Sequence, residues 1–288
     1  MYEKEIFVSS GHFYNRDIKD VIRSFDEHGF QYIEISCGKV TASDLNILKK
    51  YTKSGFKFRL HNYFPVLGED FVLNLASSEK SIREKSRKHL MTAVDWSNEL
   101  DSDYYGFHAG FRLSPKLDEL GNTFRFTDQM SSIDTAKNFF IEELHIINEY
   151  AVTNGVCLGI ENNVYSMQNF EKYGLDNPFL FCGDETSEID FIDNTSILLD
   201  VGHLRISAKS LNFDAHHAFN KMLGSVSCIH YSDNNGMSDT NCHLRDDSWF
   251  WQLDLEQVKR HTIEVYDEDL NSLHKDVDLL NRRLNNEK

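Results

Sequence analysis

The stretch Val156-Cys157-Leu158-Gly159-Ile160-Glu161 is a short apolar run that ends in a carboxylate. A buried strand of a parallel sheet has this composition, because helices cover both of its faces. Three further apolar runs end in a charged or metal-binding side chain, at Asp200, His230 and Glu264. Such side chains directly after apolar strands are typical of the mouth of an α/β barrel, where the carboxyl ends of the strands meet.

Strands and helices alternate along the chain. The segment Asp17–His28, for example, places Ile18, Val21, Ile22 and Phe25 on one helical face. The predicted strands are Ile6–Ser9, Tyr32–Ser36, Phe56–Leu60, Tyr104–Phe107, Val156–Ile160, Ile197–Leu199, Val226–Tyr231 and Thr262–Val265. The predicted helices are Asp17–His28, Ser43–Lys53, Ser77–Glu99, Asp134–Asn154, Asp214–Leu223 and Asp269–Leu284.

Eight strands with helices between them predict a protein of the α/β class, a single (β/α)₈ TIM barrel over residues 1–288. No linker rich in Pro, Gly or Ser divides the chain. A doubly wound open sheet is the alternative, but the first strand is not followed by the GxGxxG turn of dinucleotide-binding folds. Two long connections, Arg112–Ser132 and Val164–Asp190, should emerge at the mouth. We interpret the second as a lid or pocket wall, or else as a surface loop packed on its own aromatic residues.

Length, charge and cysteine content exclude several classes of protein. A chain of 288 residues can form a core without disulfides or structural metals. Its net charge of −16 argues against a nucleic-acid partner, whose phosphates must be neutralised. The five cysteines form no CxxC pair, which predicts reduced thiols and a cytoplasmic location. We find no signal peptide and no apolar run of about 18 residues, so no membrane association is expected.

Further polar residues lie at or near strand ends, and Glu34 lies within the second strand. They are His61, His108, His203, Asp239 and His243. A lone buried histidine is usually a core residue, but a set at the same end of different strands is not explained by packing. Three converging carboxylates require a cation to offset their repulsion. Imidazole and carboxylate together suit Zn²⁺, Mn²⁺, Fe²⁺ or Co²⁺. Arg112 and Arg205, beside His108 and His203, are candidates for holding a phosphate or carboxylate.

Several of these stretches resemble the xylose isomerase-like barrel superfamily, which includes sugar isomerases, sugar 3-epimerases and endonuclease IV-type AP endonucleases. The resemblance spans nearly the whole chain, and the order and spacing of its short motifs make it specific. The motifs are Leu60-His61-Asn62-Tyr63, Phe107-His108-Ala109-Gly110, Ile160-Glu161-Asn162-Asn163, Leu199-Asp200-Val201-Gly202-His203, Ile229-His230-Tyr231-Ser232-Asp233-Asn234 and Ile263-Glu264.

Resemblance to the sugar branch implies a divalent-metal-dependent isomerase or epimerase that acts on a sugar. It implies Glu161, Asp200, His230 and Glu264 as metal ligands, and Glu161 and Glu264 as the acid/base pair. Moving a proton next to a carbonyl indeed needs two proton-transfer groups and an electrophile. The ion implied by the resemblance is Mn²⁺, Zn²⁺, Co²⁺ or Mg²⁺. The resemblance also implies a homo-oligomer, because barrels of this class are often dimers or tetramers. The candidates for binding substrate are His203, His61, His108 and Arg205.

Resemblance to the endonuclease branch implies a second possibility, a zinc phosphodiesterase with three ions. Its ligand sets would be His61, His108 and Glu161, then the four sugar-branch ligands, then His203, Asp239 and His243. That branch has Asp-x-His after the seventh strand, whereas Asp239 and His243 are four positions apart here. The third set is therefore in doubt, and we rank this function second.

Overall fold

The computed structural model describes residues 5–68, 71–113, 130–185 and 192–285, and its central feature is a closed parallel barrel. Each of the eight strands pairs with the next in chain order, and β8 pairs with β1. The strands are β1 (Ile6–Ser9), β2 (Tyr32–Ile35), β3 (Lys57–His61), β4 (Tyr104–His108), β5 (Cys157–Glu161), β6 (Thr195–Asp200), β7 (Val226–Tyr231) and β8 (Arg260–Ile263). The predicted (β/α)₈ barrel is confirmed, and its extent over residues 1–288 as one domain stays a prediction.

Helices follow the strands and pack on the outside of the barrel. The helices are α1 (Ile18–Glu27), α2 (Leu45–Lys53), α3 (Lys80–Glu99), α4 (Ile133–Thr153), α5 (Met167–Tyr173), α6 (Val201–Leu211), α7 (Ala215–Met222) and α8 (Leu270–Leu284). In α1 the predicted apolar face of Ile18, Val21, Ile22 and Phe25 is buried. Of the helices in the described part of the chain, none combines the length and apolar character needed to cross a bilayer.

Two helices were not predicted, and one strand lies earlier than predicted. Helix α6 begins directly after Asp200, whose side chain caps it, so no loop separates strand from helix. Helix α5 lies within the second long connection. Strand β8 begins at Arg260 rather than Thr262, because Arg260 and His261 pair with Cys228 and Ile229 of β7. Residues 114–129 and 186–191 of the two long connections lie outside the described residues.

Inside the barrel, side chains of neighbouring strands fill the space next to Gly106 and Gly159. This packed layer closes the interior beneath the residues at the strand ends. A Cβ at Gly106 would lie 2.5 Å from Leu198 Cδ1, and a Cβ at Gly159 would overlap the hydroxyl of Tyr104. Side chains two positions apart in a strand point to the same face. His108 and Glu161, each two residues after one of these glycines, therefore point into the barrel above this packed layer.

Candidate metal centre

The strand register brings the predicted metal ligands to one level. Glu161 pairs with His108 across β5 and β4, and Asp200 pairs with His230 across β6 and β7. The backbone N–H of Glu264 donates to the carbonyl oxygen of Tyr231 at 3.0 Å, which places Glu264 one step beyond the end of β8. One ligand atom from each of Glu161, Asp200, His230 and Glu264 lies within 4.8 Å of the others. We call these four buried residues the quartet.

Glu161 lies at the centre of the site and is fully buried. One carboxylate oxygen, Oε2, lies 2.7 Å from His61 Nε2 and 3.2 Å from His108 Nδ1. The other, Oε1, lies 3.6 Å from both His203 Nδ1 and His230 Nδ1. Burial alone would raise the pKa of Glu161, but the charges of His108 and His61 hold it well below its usual value. Glu161 is therefore ionised near neutral pH.

His230 lies between two carboxylates on opposite edges of its ring. Its Nδ1 lies 2.8 Å from Glu264 Oε2, and its Nε2 lies 2.8 Å from Glu34 Oε1. Thr262 Oγ1 donates to the other oxygen of Glu34 at 2.9 Å. Burial lowers the pKa of His230, but the charges of Glu34 and Glu264 raise it well above the usual value. Within the quartet, His230 therefore presents Nδ1, while Glu34 contacts the opposite nitrogen.

Glu34 is a buried charged residue of this network to which the sequence analysis assigned no role. Its position within β2 separated it from the strand-end residues that formed the prediction. The sequence nevertheless contained a signal, because an acidic residue in the middle of a short apolar strand needs a partner when it is buried. In the structure Glu34 is only 1% exposed.

His203 and Asp200 are linked by the start of α6. The Asp200 side chain accepts from the backbone N–H of His203 at 2.6 Å, while Asn162 bonds both the N–H and the carbonyl of Asp200. The His203 ring contacts the carbonyl oxygen of Asn162 through Nδ1 at 2.9 Å and Asp239 Oδ2 through Nε2 at 3.1 Å. Burial opposes protonation of His203, but Asp200 and Asp239 raise its pKa well above the usual value. Both ring nitrogens of His203 therefore lie against hydrogen-bond acceptors.

The pKa values of Asp200 and His108 are shifted by their surroundings. Burial raises the pKa of Asp200 to about 7, although the charge of His203 opposes the shift. Burial lowers the pKa of His108 to about 4, although the charge of Glu161 opposes that shift. His108 is therefore a neutral imidazole near neutral pH, and it lines a cavity of about 250 Å³ together with His203, Asp239 and Tyr63.

Three residues that were predicted to bind a metal or a ligand contact other protein groups instead. His243 bonds Asp276 at 2.6 Å and Asp267 at 2.9 Å, and it belongs to none of the metal-capable groups found among the described residues. Its place in a third zinc site is therefore not supported by the geometry. Arg205 bonds Asp233 at 2.8 Å. Arg112 bonds Asp176, Asn177 and Ser131 and so connects the two long loops.

The donor set fits a divalent cation. Three carboxylates and one imidazole converge, and Glu161 Oε1 is buried without a hydrogen-bond partner among the described residues. Oxygen and imidazole nitrogen are ligands that Mn²⁺, Zn²⁺ and Co²⁺ accept. Two further groups are compatible with an ion, and both contain Glu161. One is His61, Glu161 and His230, and the other is His108, Glu161 and His203.

Comparison with solved structures finds the same fold in several sugar epimerases. A D-tagatose 3-epimerase-like protein superposes with a TM-score of 0.75 at 20% identity, covering 98% of each chain. D-allulose 3-epimerase from Methylomonas sp. gives 0.68 at 13% identity, covering 99% of each chain. The 3-keto-D-glucoside 4-epimerase from E. coli gives 0.65 at 15% identity, covering 97% of this chain and 99% of that one. Among curated protein sequences, none matches this chain.

The family assignment rests on the sequence itself. The model of the family described as "Xylose isomerase-like TIM barrel" matches residues 22–261, which include every strand from β2 to β7 and the quartet residues Glu161, Asp200 and His230. The barrel topology agrees with this match. The chain belongs to the xylose isomerase-like TIM barrel family.

Proposed function

We propose that this protein is a divalent-metal-dependent isomerase or epimerase that moves a proton next to the carbonyl group of a sugar or sugar derivative. The main support is the pair Glu161 and Glu264, two carboxylates on either side of His230 Nδ1 at 3.6 and 2.8 Å. The family and the names of the three structural neighbours, two epimerases of sugars or glucosides and one D-tagatose 3-epimerase-like protein, support the same class of reaction.

Glu161, Asp200, His230 and Glu264 would hold the cation. When bound, a divalent cation polarises the substrate's oxygens and stabilises the negative charge that develops when a proton leaves the neighbouring carbon. The quartet is buried, so water competes little with substrate oxygens in this part of the barrel. Asp200 also caps α6, which fixes the direction of its side chain.

Glu161 and Glu264 act as the acid/base pair. One carboxylate accepts the proton from the carbon next to the carbonyl, and the other donates a proton to the carbon skeleton. Return to the opposite face of the same carbon gives an epimer, whereas return to the former carbonyl carbon gives an isomer. Glu161 is ionised near neutral pH, which is the state in which a carboxylate can accept a proton.

Histidines between the quartet and the 250 Å³ cavity bind the substrate. His203 lines this cavity beside Asp239, and its Nε2 would donate to a substrate hydroxyl or carbonyl oxygen in place of Asp239. His108, neutral and partly exposed, accepts or donates one hydrogen bond to a substrate hydroxyl. His61 is buried against Glu161 and positions that carboxylate.

The proposal is tested by proton exchange. Mn²⁺-loaded protein incubated with a panel of ketoses in D₂O should introduce deuterium at the carbon next to the carbonyl, observed by NMR. Glu161→Gln and Glu264→Gln should each abolish this exchange, because an amide cannot transfer the proton, while circular dichroism shows an unchanged fold. Full activity in either variant would contradict the assigned roles.

A second candidate, a zinc phosphodiesterase, is favoured by one observation. His61 and His108 both contact Glu161 Oε2, so Glu161 would belong to the ligand sets of two ions, this one and the quartet. Elemental analysis after zinc loading separates the two functions. One ion per chain supports the sugar reaction, whereas two or three ions, reduced by His108→Ala, together with cleavage of an abasic-site or phosphodiester substrate, support the phosphodiesterase.

A further inference from the structure

A second, larger cavity of about 660 Å³ lies at the mouth beside the loops that follow β1, β2 and β3. Its lining includes Tyr14, Asn15, Ser36, Lys39, Tyr63 and Phe71. None of these side chains takes part in the proton transfer proposed above. The cavity lies within the range of about 300–1,000 Å³ in which proteins bind small molecules.

The larger cavity shares one lining residue with the smaller cavity beside the quartet. Tyr63 lines this cavity and also the 250 Å³ cavity beside His108 and His203. Cys37, another lining residue, contacts the backbone of Gly11 at 3.4 Å. Gly11 packs so closely on Tyr266 that an added Cβ would lie 2.7 Å from its hydroxyl, and that hydroxyl lies 3.4 Å from Glu264 Oε1. The two cavities therefore share Tyr63, while Gly11 and Tyr266 lie between Cys37 of the larger cavity and Glu264.

The lining chemistry suits a neutral ring that carries hydroxyl groups. Tyr14 and Tyr63 line the cavity with aromatic rings, which suit the C–H faces of a sugar. Phe71, whose ring has Lys85 Nζ over it at 4.5 Å, is edge-to-face with Tyr63 at 6.5 Å. Asn15 and Ser36 provide hydrogen-bonding groups, which a hydrocarbon chain would leave unpaired. Lys39 is the one charged residue in the described lining of this cavity. A phosphate group is usually held by several charge-assisted hydrogen bonds, often from arginine.

We infer that the substrate has two sugar units: a reacting ketose unit at the quartet, and a second sugar ring in the 660 Å³ cavity. This inference rests on the proposed function. The second ring stays chemically unchanged, and its contacts with Tyr14, Tyr63 and Phe71 position the reacting carbon between Glu161 and Glu264. Binding energy from contacts with a remote, non-reacting unit stabilises the transition state. Removal of that unit therefore lowers kcat as well as the binding affinity.

Two ketoses that differ only in the second ring provide the test. Isomaltulose is fructose with a glucose unit on O6, and 6-O-methyl-D-fructose has the same blocked oxygen without the ring. With Mn²⁺-loaded protein, kcat/KM for isomaltulose should exceed that for 6-O-methyl-D-fructose by about tenfold or more. Equal values for the two ketoses would overturn the inference while leaving the proposed function intact.

A variant that fills the cavity checks where the second ring binds. Asn15 is an exposed lining residue, so Asn15→Trp should fold and obstruct the cavity. The preference for isomaltulose should then fall to a ratio of about one. The matched control is Asn98→Trp, the same change at an exposed position of α3, which should keep the preference. A preference that survives in Asn15→Trp would overturn the inference.

Equilibrium binding separates failure of the inference from failure of the proposed function. If neither ketose reacts, proton exchange with the ketose panel decides on the proposed function, and isothermal titration still compares isomaltulose with 6-O-methyl-D-fructose. Tighter binding of isomaltulose that is lost in Asn15→Trp supports a second-ring site. Equal binding of the two ketoses, or equal effects of Asn15→Trp and Asn98→Trp, overturns it.

Discussion

At the scale of single residues, the position of Glu34 predicts how the metal site is oriented. Glu34 is held by Thr262 and contacts His230 Nε2, so the ring turns Nδ1 toward the rest of the quartet. Removing a carboxylate that orients a ligating histidine typically lowers metal affinity by about 10–100-fold. We therefore expect Glu34→Gln to weaken Mn²⁺ or Zn²⁺ binding by about this factor, measured by competition with a chelator.

The control for Glu34→Gln is Glu143→Gln, which removes a buried carboxylate far from the barrel interior. Glu143 pairs with Arg87 at 2.7 Å and with Arg83 at 3.4 Å between α3 and α4. This variant should lose some stability and keep its metal affinity. Unchanged metal affinity in Glu34→Gln, with the fold intact by circular dichroism, would show that His230 does not depend on Glu34 for its orientation.

The sequence predicted which residues would meet, but not what each side chain would contact. An apolar run that ends in Glu161 or Asp200 predicts a position at the mouth, because strand period and parallel pairing determine it. The partners of His243 depend on how a loop turns after β7 and where α8 lies, and spacing along the chain does not encode either. His243 therefore looked like a metal ligand and instead bonds Asp267 and Asp276.

At the scale of secondary-structure elements, His243 joins the loop after β7 to α8, and this link should depend on pH. Burial lowers the pKa of His243, but its hydrogen bonds with Asp276 and Asp267 raise it above the usual value. A group whose pKa is higher in the folded state stabilises the fold fully below its unfolded pKa. That stabilisation is lost as the pH rises through the folded pKa.

We therefore expect the stability difference between wild type and His243→Gln to shrink with rising pH. Urea unfolding from about pH 6 to about pH 9 measures it. The control is His28→Gln, because His28 Nδ1 contacts the backbone carbonyl of Ser24 at 2.7 Å rather than a carboxylate, and its difference should lack this trend. A difference for His243→Gln that stays constant or grows with pH would contradict the expected ion pair.

Helices and strands were predicted correctly where apolar side chains follow a regular period. They were missed where contacts with neighbouring elements determine the boundary. The four apolar positions of α1 are spaced by three and four, and all four are buried. Helix α6 was missed because Asp200 both ends β6 and caps the helix, so the sequence lacks the turn residues that usually mark a boundary. The start of β8 was missed because Arg260 and His261 interrupt the apolar pattern.

At the scale of the whole molecule, the packed layer inside the barrel makes Gly159 sensitive to substitution. A Cβ there would overlap the Tyr104 hydroxyl, and overpacking of this kind costs about 1–3 kcal/mol. We expect Gly159→Ala to lower the free energy of unfolding in urea by this amount. Tyr104→Phe should restore part of it, because it removes the overlapping oxygen. Gly224→Ala is the control, since a Cβ at Gly224 meets nothing within 4 Å.

The seam between β1 and β8 joins residues from opposite ends of the chain, with Phe7 beside Thr262 and Val8 beside Ile263. The sheet therefore closes only once β8 has been synthesised and has paired with β1. Glu264 follows directly after this closing strand, so the same event completes both the barrel and the quartet. A chain interrupted before residue 260 would expose two unpaired strand edges, which invite aggregation, and it would lack Glu264. Formation of the candidate metal centre is thus coupled to closure of the barrel, because the strand that closes the sheet also positions Glu264.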